Sequence, residues 1–189
     1  MKERAPLRLL YDQNAETAAK HPGLGAVPTI IWAPLTGAVI TLVAGFLGLA
    51  THQLWLFPSL APTAYLYAAT PHLPSARLYN TIVGHGIAMG AGFVSVLILG
   101  THHVPSALVT HQLEPVRIWA SALAIFFTLL VQVPLRAAHA PAAATALLVS
   151  LGLFQPTWSD ARIILLGVLI TALVGEPLRR IRLAQPGQK

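Results

Sequence analysis

The sequence contains no cysteine. That excludes disulfides, a thiolate nucleophile and any Cys-ligated metal. It is also poor in charge. Acids and bases make up 10% of the 189 residues, against about 25% in a typical soluble domain. No Asp, Glu, Lys or Arg lies well inside any long apolar run. Cation carriers and carboxylate proton relays place acids within the membrane, so both are disfavoured. Three enzyme signatures are missing as well: His-Glu-x-x-His, Gly-x-Ser-x-Gly and paired membrane aspartates. The expectation is therefore no catalytic residues and no enzyme. Residues 1–28 carry acids and bases but no short apolar core, so they do not read as a signal peptide.

What remains is mostly apolar. Hydrophobic residues make up 55% of the chain, and the mean hydropathy is +0.66. They cluster in Ile30–Ala50, Leu78–Gly100, Val116–Leu135 and Ile163–Gly175. Runs of about 20 such residues read as transmembrane helices. The class is an all-α polytopic membrane protein. The net charge of +6 would suggest nucleic acid in a soluble protein. Here the bases sit in the tails, at Lys2, Arg4, Arg8 and Lys20, then Arg179, Arg180, Arg182 and Lys189. The positive-inside bias and anionic lipid explain them more simply. No nucleic-acid partner is expected, and both termini are placed in the cytoplasm.

Two shorter apolar segments lie between the long runs, Leu54–Thr70 and His139–Phe154. Each begins with a proline-bearing stretch, and proline suits a helix's first turn and not its middle. Helix starts are predicted near Ser59–Thr63 and near His139–Ala142. Neither helix can span about 30 Å of hydrocarbon unaided; each is a half-helix continued by extended chain, or a re-entrant piece. The order long, short, long then repeats, with Ala76-Arg77 and Ala161-Arg162 opening the third element of each half. This reads as two three-helix repeats, about 29–100 and 116–178, probably inverted. A cytoplasmic arm (1–28) precedes them, with an interfacial helix over Leu7–Ala19, and a basic tail (179–189) follows. Counting bases on each side mildly favours six crossings over four. Gly37, Thr41, Gly45 and Gly48 line one helix, and Gly86 and Gly90 form a GxxxG in another. Such stripes serve helix packing or a homodimer seam.

The segments FPSLAPTAYLYAATPHLPSA, NTIVGHGIAMGAG and HAPAAATALLVSLG, in that order, resemble the HPP family of integral membrane proteins. That family is named for a His-Pro-Pro motif continuing as Ala-Gly-Ala-Thr. The resemblance covers roughly residues 50–178. Ala140 stands where the family has its first proline, Ala143 where it has glycine, and Tyr79 where it usually has arginine. Some plant and cyanobacterial relatives are described as nitrite transporters. The resemblance implies an anion carrier or channel, with nitrite leading, in a bacterial inner or plasma membrane.

The residues suit that reading. Ionisable or polar groups in or near the bilayer are His85 and His139, with His52, His72, Asn80, Ser59, Thr63 and Thr145. They can donate hydrogen bonds to a small anion, and a helix N-terminus favours negative charge. The expected substrate-binding set is Ser59, Pro62, Thr63, Asn80, His85, His139, Pro141 and Thr145. The half-helices starting at Pro62 and Pro141 should bring two N-termini to face the anion. His139 has a plainer alternative as a helix cap. An ordinary imidazole pKa of about 6.5 also makes either ring a possible proton acceptor. His102, His103 and His111 match no strong metal motif and read as solvated loop residues. No metal or cofactor is expected. A non-transporting scaffold is the rival reading, and an intramembrane enzyme a weaker one.

Overall fold

The computed structural model describes residues 27–185. The predicted interfacial helix over Leu7–Ala19 lies outside them. Seven helices follow in order: α1 (Thr29–Thr51), α2 (Leu60–Ala69), α3 (Leu78–Ile98), α4 (Ala107–Thr110), α5 (Pro115–Gln132), α6 (Ala140–Ser150) and α7 (Trp158–Ala184). Helices α1, α3, α5 and α7 are long and apolar enough to cross a membrane. The two short helices start where proline predicted. Ser59 and His139 are their N-caps. At 1.5 Å per residue they extend only about 15 and 17 Å.

Extended chain completes the first short segment. Residues 53–57 are non-helical and run beside α7. A Cβ on Gly167 would meet the Phe57 ring at 2.6 Å and the Trp55 carbonyl at 3.0 Å. One on Gly175 would meet the Tyr67 ring at 2.5 Å. The segment therefore tracks α7 in the same direction from residue 55 to residue 67, and Ser59 lies about midway along the bundle. After α5, residues 133–139 turn back against the first part of α3, where Asn80 Nδ2 donates to the Arg136 and Ala138 carbonyls at 3.2 and 3.0 Å. Helix α6 then runs away from that end. Counting both short segments, the chain traverses the bundle six times.

Two buried arginines close the ends. Arg117, in the first turn of α5, donates to the carbonyls of Pro105 (2.9 Å), Ser150 (2.7 Å), Thr101 (3.3 Å) and Val104 (2.6 Å). It ties the last turn of α6 to the α3–α5 connection. Gly152 makes this possible. Its φ is +92°, and a Cβ there would meet the guanidinium at 2.5 Å. At the opposite end Arg182 reaches the Val27 carbonyl, Thr29 Oγ1 at 2.6 Å and the Trp32 ring. Both arginines are 1% exposed, although the sequence reading gave Arg182 to the basic tail. Helix α7 continues to Ala184, so Arg179, Arg180 and Arg182 lie on its last turns. Glu176 is held there by Arg179 and Arg180, three and four residues on, the spacing for ion pairs along one helix face.

The core is graded along its length. Phe57, Leu60, Val96, Val149, Phe154, Ile164 and Val168 fill the Arg117 half, with Phe57 and Phe154 edge to face at 5.3 Å. Beside the α6 start the core shrinks to Ala88, Ala124, Ala142 and Ala146, which lets α3, α5 and α6 approach closely. The glycines of α3 divide differently from the expected GxxxG. Gly84 and Gly92 face α6 and the loop before it. A Cβ would meet His139 Cβ at 2.7 Å and Val149 Cβ at 2.8 Å, respectively. Gly86 and Gly90 would meet nothing within 4 Å. They do not pack this bundle.

Gly84→Ala should therefore force His139 outward and lower stability by about 1–3 kcal/mol, the usual cost of overpacking. Gly86→Ala should leave it unchanged or slightly raise it. Thermal melting in detergent, followed by tryptophan fluorescence, separates the two.

Candidate functional site

Five of the predicted residues meet in one cluster. Ser59 occupies the N-cap position of α2 and Thr63 follows one turn later, on the same face. His85 comes from α3, His139 occupies the N-cap position of α6, and Thr145 lies in its second turn. All are buried; His85 is 0% and His139 1% exposed. Ser59 Oγ lies 2.8 Å from Thr145 Oγ1. Thr145 Oγ1 lies 2.7 Å from His85 Nδ1. Thr63 Oγ1 bridges the two rings, 3.0 Å from His85 Nε2 and 3.1 Å from His139 Nε2. His139 Nδ1 donates to the Ser75 carbonyl at 2.7 Å. The rings meet edge to face, with centroids 5.0 Å apart.

This geometry corrects two expectations. The helix ends do not face each other across a gap. Ser59 pairs with Thr145, and Thr63 with His139, so α2 and α6 run antiparallel with their first turns side by side. The two N-termini point to opposite ends of the bundle, yet they overlap instead of lying far apart. Nor does His139 cap α6 with its side chain. Its ring is a cross-link between the 74–76 turn and α2.

The remaining predicted residues lie outside the cluster. Pro62 is exposed and Pro141 buried; both set helix starts, and neither offers a donor. Asn80 is buried, but its amide holds the 136–138 turn. His52 and His72 are exposed, as are His102, His103 and His111. Among the described residues, no group of three His, Asp or Glu side chains could hold a metal ion. Ser59 makes no hydrogen bond to either imidazole; Thr145 stands between it and His85. A serine–histidine nucleophile pair is thus not assembled.

Sequence reading missed several supports. Gln132 Nε2 donates to the Gly84 carbonyl at 3.1 Å, fixing α5 beside the cluster. Tyr67 Oη donates to Thr81 Oγ1 at 3.0 Å and ties α2 to α3. A lone glutamine in the run FFTLLVQV was a readable signal, because a buried amide in lipid requires a partner. The Ser75 carbonyl left no signal at all.

A family model described as HPP, transmembrane region, matches residues 22–185. The chain belongs to the HPP family. It is an integral membrane protein, and the cluster is built from this family's named motif (His139 onward) and the two segments quoted with it. Comparison with curated proteins and with solved structures returns no match.

The cluster should be energetically cooperative. Thr145→Val leaves His85 Nδ1 without a donor and should cost about 1–3 kcal/mol, with Thr145→Ser recovering most of it. A double-mutant cycle with Ser59→Ala should return a coupling of roughly 0.5–3 kcal/mol. Additive effects in a detergent unfolding assay would contradict the contact.

Proposed function

We propose that this HPP-family protein is a non-enzymatic transporter or channel for a small inorganic anion, with nitrite as the leading substrate. The observation that carries this reading is the neutral, donor-bearing cluster buried midway along the bundle, at the starts of two short helices. Among the described residues no carboxylate joins it. Such a site suits an anion and offers little to a cation.

The energetics require this many groups. One helix N-terminus contributes about 0.3–2 kcal/mol. Removing a small ion from water costs on the order of 20 kcal/mol in an idealised Born estimate, and several kcal/mol after relaxation. Two helix starts, the hydroxyls of Ser59, Thr63 and Thr145, and the rings of His85 and His139 together approach that lower figure. The anion would replace hydrogen bonds that these groups now make to one another, so binding must loosen the α2–α6 contact. Antiparallel half-helices in corresponding places of the two long-short-long halves support an inverted repeat, the usual frame for alternating access. Arg77, Arg136, Arg179, Arg180 and Arg182 lie at one end of the bundle and Arg117 and Arg162 at the other. The positive-inside bias assigns the first end to the bacterial cytoplasm. The open Gly86–Gly90 face suits a homodimer seam.

The scaffold reading has one observation in its favour: every cluster hydroxyl and ring nitrogen already has a protein partner. Flux decides between them. Proteoliposomes of the full chain, given nitrite, nitrate, chloride or formate, should show selective flux above protein-free liposomes. His139→Ala and His139→Gln, each monodisperse in detergent, should lose at least about tenfold, the equivalent of roughly 1.4 kcal/mol. No selective flux for any of the four anions would leave the scaffold standing.

A further inference from the structure

The cluster has a direction, and the Ser75 carbonyl sets it. A carbonyl only accepts, so His139 Nδ1 carries a proton. In a neutral ring Nε2 is then bare and needs a donor. Only the Thr63 hydroxyl is in reach, at 3.1 Å. Thr63 has one proton. Given to His139, it obliges Thr63 to accept from His85 Nε2–H. His85 Nδ1 is then bare and accepts from Thr145, which accepts from Ser59. The Ser59 carbonyl, 3.2 Å from Thr63 Oγ1, competes for the Thr63 proton, but that choice would leave His139 Nε2 buried without a donor. With both rings neutral, a single pattern satisfies every group, and every proton points from Ser59 toward His139.

One added proton yields a second pattern, complete from Thr145 to Ser75. His139 as imidazolium donates from both nitrogens. Thr63 donates to His85 Nε2, His85 Nδ1–H donates to Thr145, and Thr145 donates to Ser59. The geometry points to a proton relay: Ser59, Thr145, His85 and Thr63 pass one proton from the bundle centre to His139, which holds it as imidazolium beside the half-buried Ser75. Each hop breaks one O–H or N–H bond and makes the next. Ser59 gains a proton from hydronium, which leaves as water, or from the protonated form of the carried anion. His139 Nε2 gains one at the far end. The relay deepens the transport reading and rests on it only for the source of the proton; a protonated anion that enters at Ser59 would leave its proton on His139.

The surroundings leave the relay isolated. From α2 Thr63 faces His139, from α3 His85 and Gly84, and from the 74–76 turn the Ser75 carbonyl. From α5, Gln132 donates to the Gly84 carbonyl. On its own segment Arg136 is exposed. The acids of α7 are engaged elsewhere, Glu176 by Arg179 and Arg180 and Asp160 by the Gln155 amide. Among the described residues no carboxylate bonds either ring.

The test reads tautomers directly. The full chain, labelled with nitrogen-15 at histidine and held in lipid bilayers, is examined by solid-state NMR, with His85→Gln and His139→Gln assigning the two rings. At neutral pH His85 should be the Nε2–H tautomer and His139 the Nδ1–H tautomer. On acidification His139 should become imidazolium, and His85 should switch to Nδ1–H in the same titration. Thr63→Val should abolish the coupled switch and Thr63→Ser should keep it. A His85 tautomer that ignores the charge on His139, or coupling that survives Thr63→Val, overturns the relay. Flux without the coupled switch would defeat the relay and spare the transport reading. The switch without selective anion flux would do the reverse.

Discussion

Breaking a helix inside a bilayer strands backbone N–H and C=O groups where no water can reach them. Much of this structure follows from how those groups are satisfied. Helix α6 ends at Ser150, short of a full span, and the carbonyl there goes to Arg117. Both short helices start inside the bundle, and their opening turns are pressed together so that Ser59, Thr63, His139 and Thr145 serve one another. The chain before α6 is held by Asn80, which takes the Arg136 and Ala138 carbonyls. Irregular backbone at membrane depth is tolerated only where protein or a water-lined cavity covers it. Here the cover is specific and polar, and small residues let it close. With a side chain at Gly84, His139 could not sit beside α3 at its present distance.

The same constraint explains why charge stands where it does. Arg117 and Arg182 are buried, yet each faces oxygen atoms: backbone carbonyls for Arg117, and a carbonyl, a hydroxyl and an amide for Arg182. A guanidinium spreads its donors in a fixed fork, so one side chain can gather several chain segments. The middle of the bundle holds neutral groups instead. That division, cations at the ends and hydroxyls and imidazoles at the centre, gives the protein an interior in which a single proton changes the charge of the site.

Much of this was legible in the residues. The long runs marked α1, α3, α5 and α7, and proline marked the starts of α2 and α6, because φ and the missing N–H leave it few other places. Ser59, Thr63, His85, His139 and Thr145 were legible as a set, because polar side chains in such runs need partners. How they connect was not legible. The antiparallel overlap of the two first turns depends on the length of extended chain from 53 to 57 and on where Phe57 seats against Gly167, neither of which has a periodic signature. The role of Arg117 was not legible, because a base next to an apolar run looks the same whether it faces lipid headgroups or carbonyls. The GxxxG pattern misled for a related reason: sequence shows that a stripe exists, and only the fold shows that α6 packs on Gly84 and Gly92 instead.

The contact between Arg182 and Thr29 carries a consequence for the order of the chain. It brings the start of α1 and the end of α7 together at one end of the bundle, while the connection from α3 to α5 lies at the other. The described bundle is therefore nearly a closed ring, with both of its ends at one face. A short linker from Ala184 to Thr29, with new ends cut between α3 and α5, would reorder the sequence without moving a helix. Two separately made halves, one carrying α2 and one α6, would meet along α3, which packs on α5 and α6, and at the hydroxyls and imidazoles of the centre.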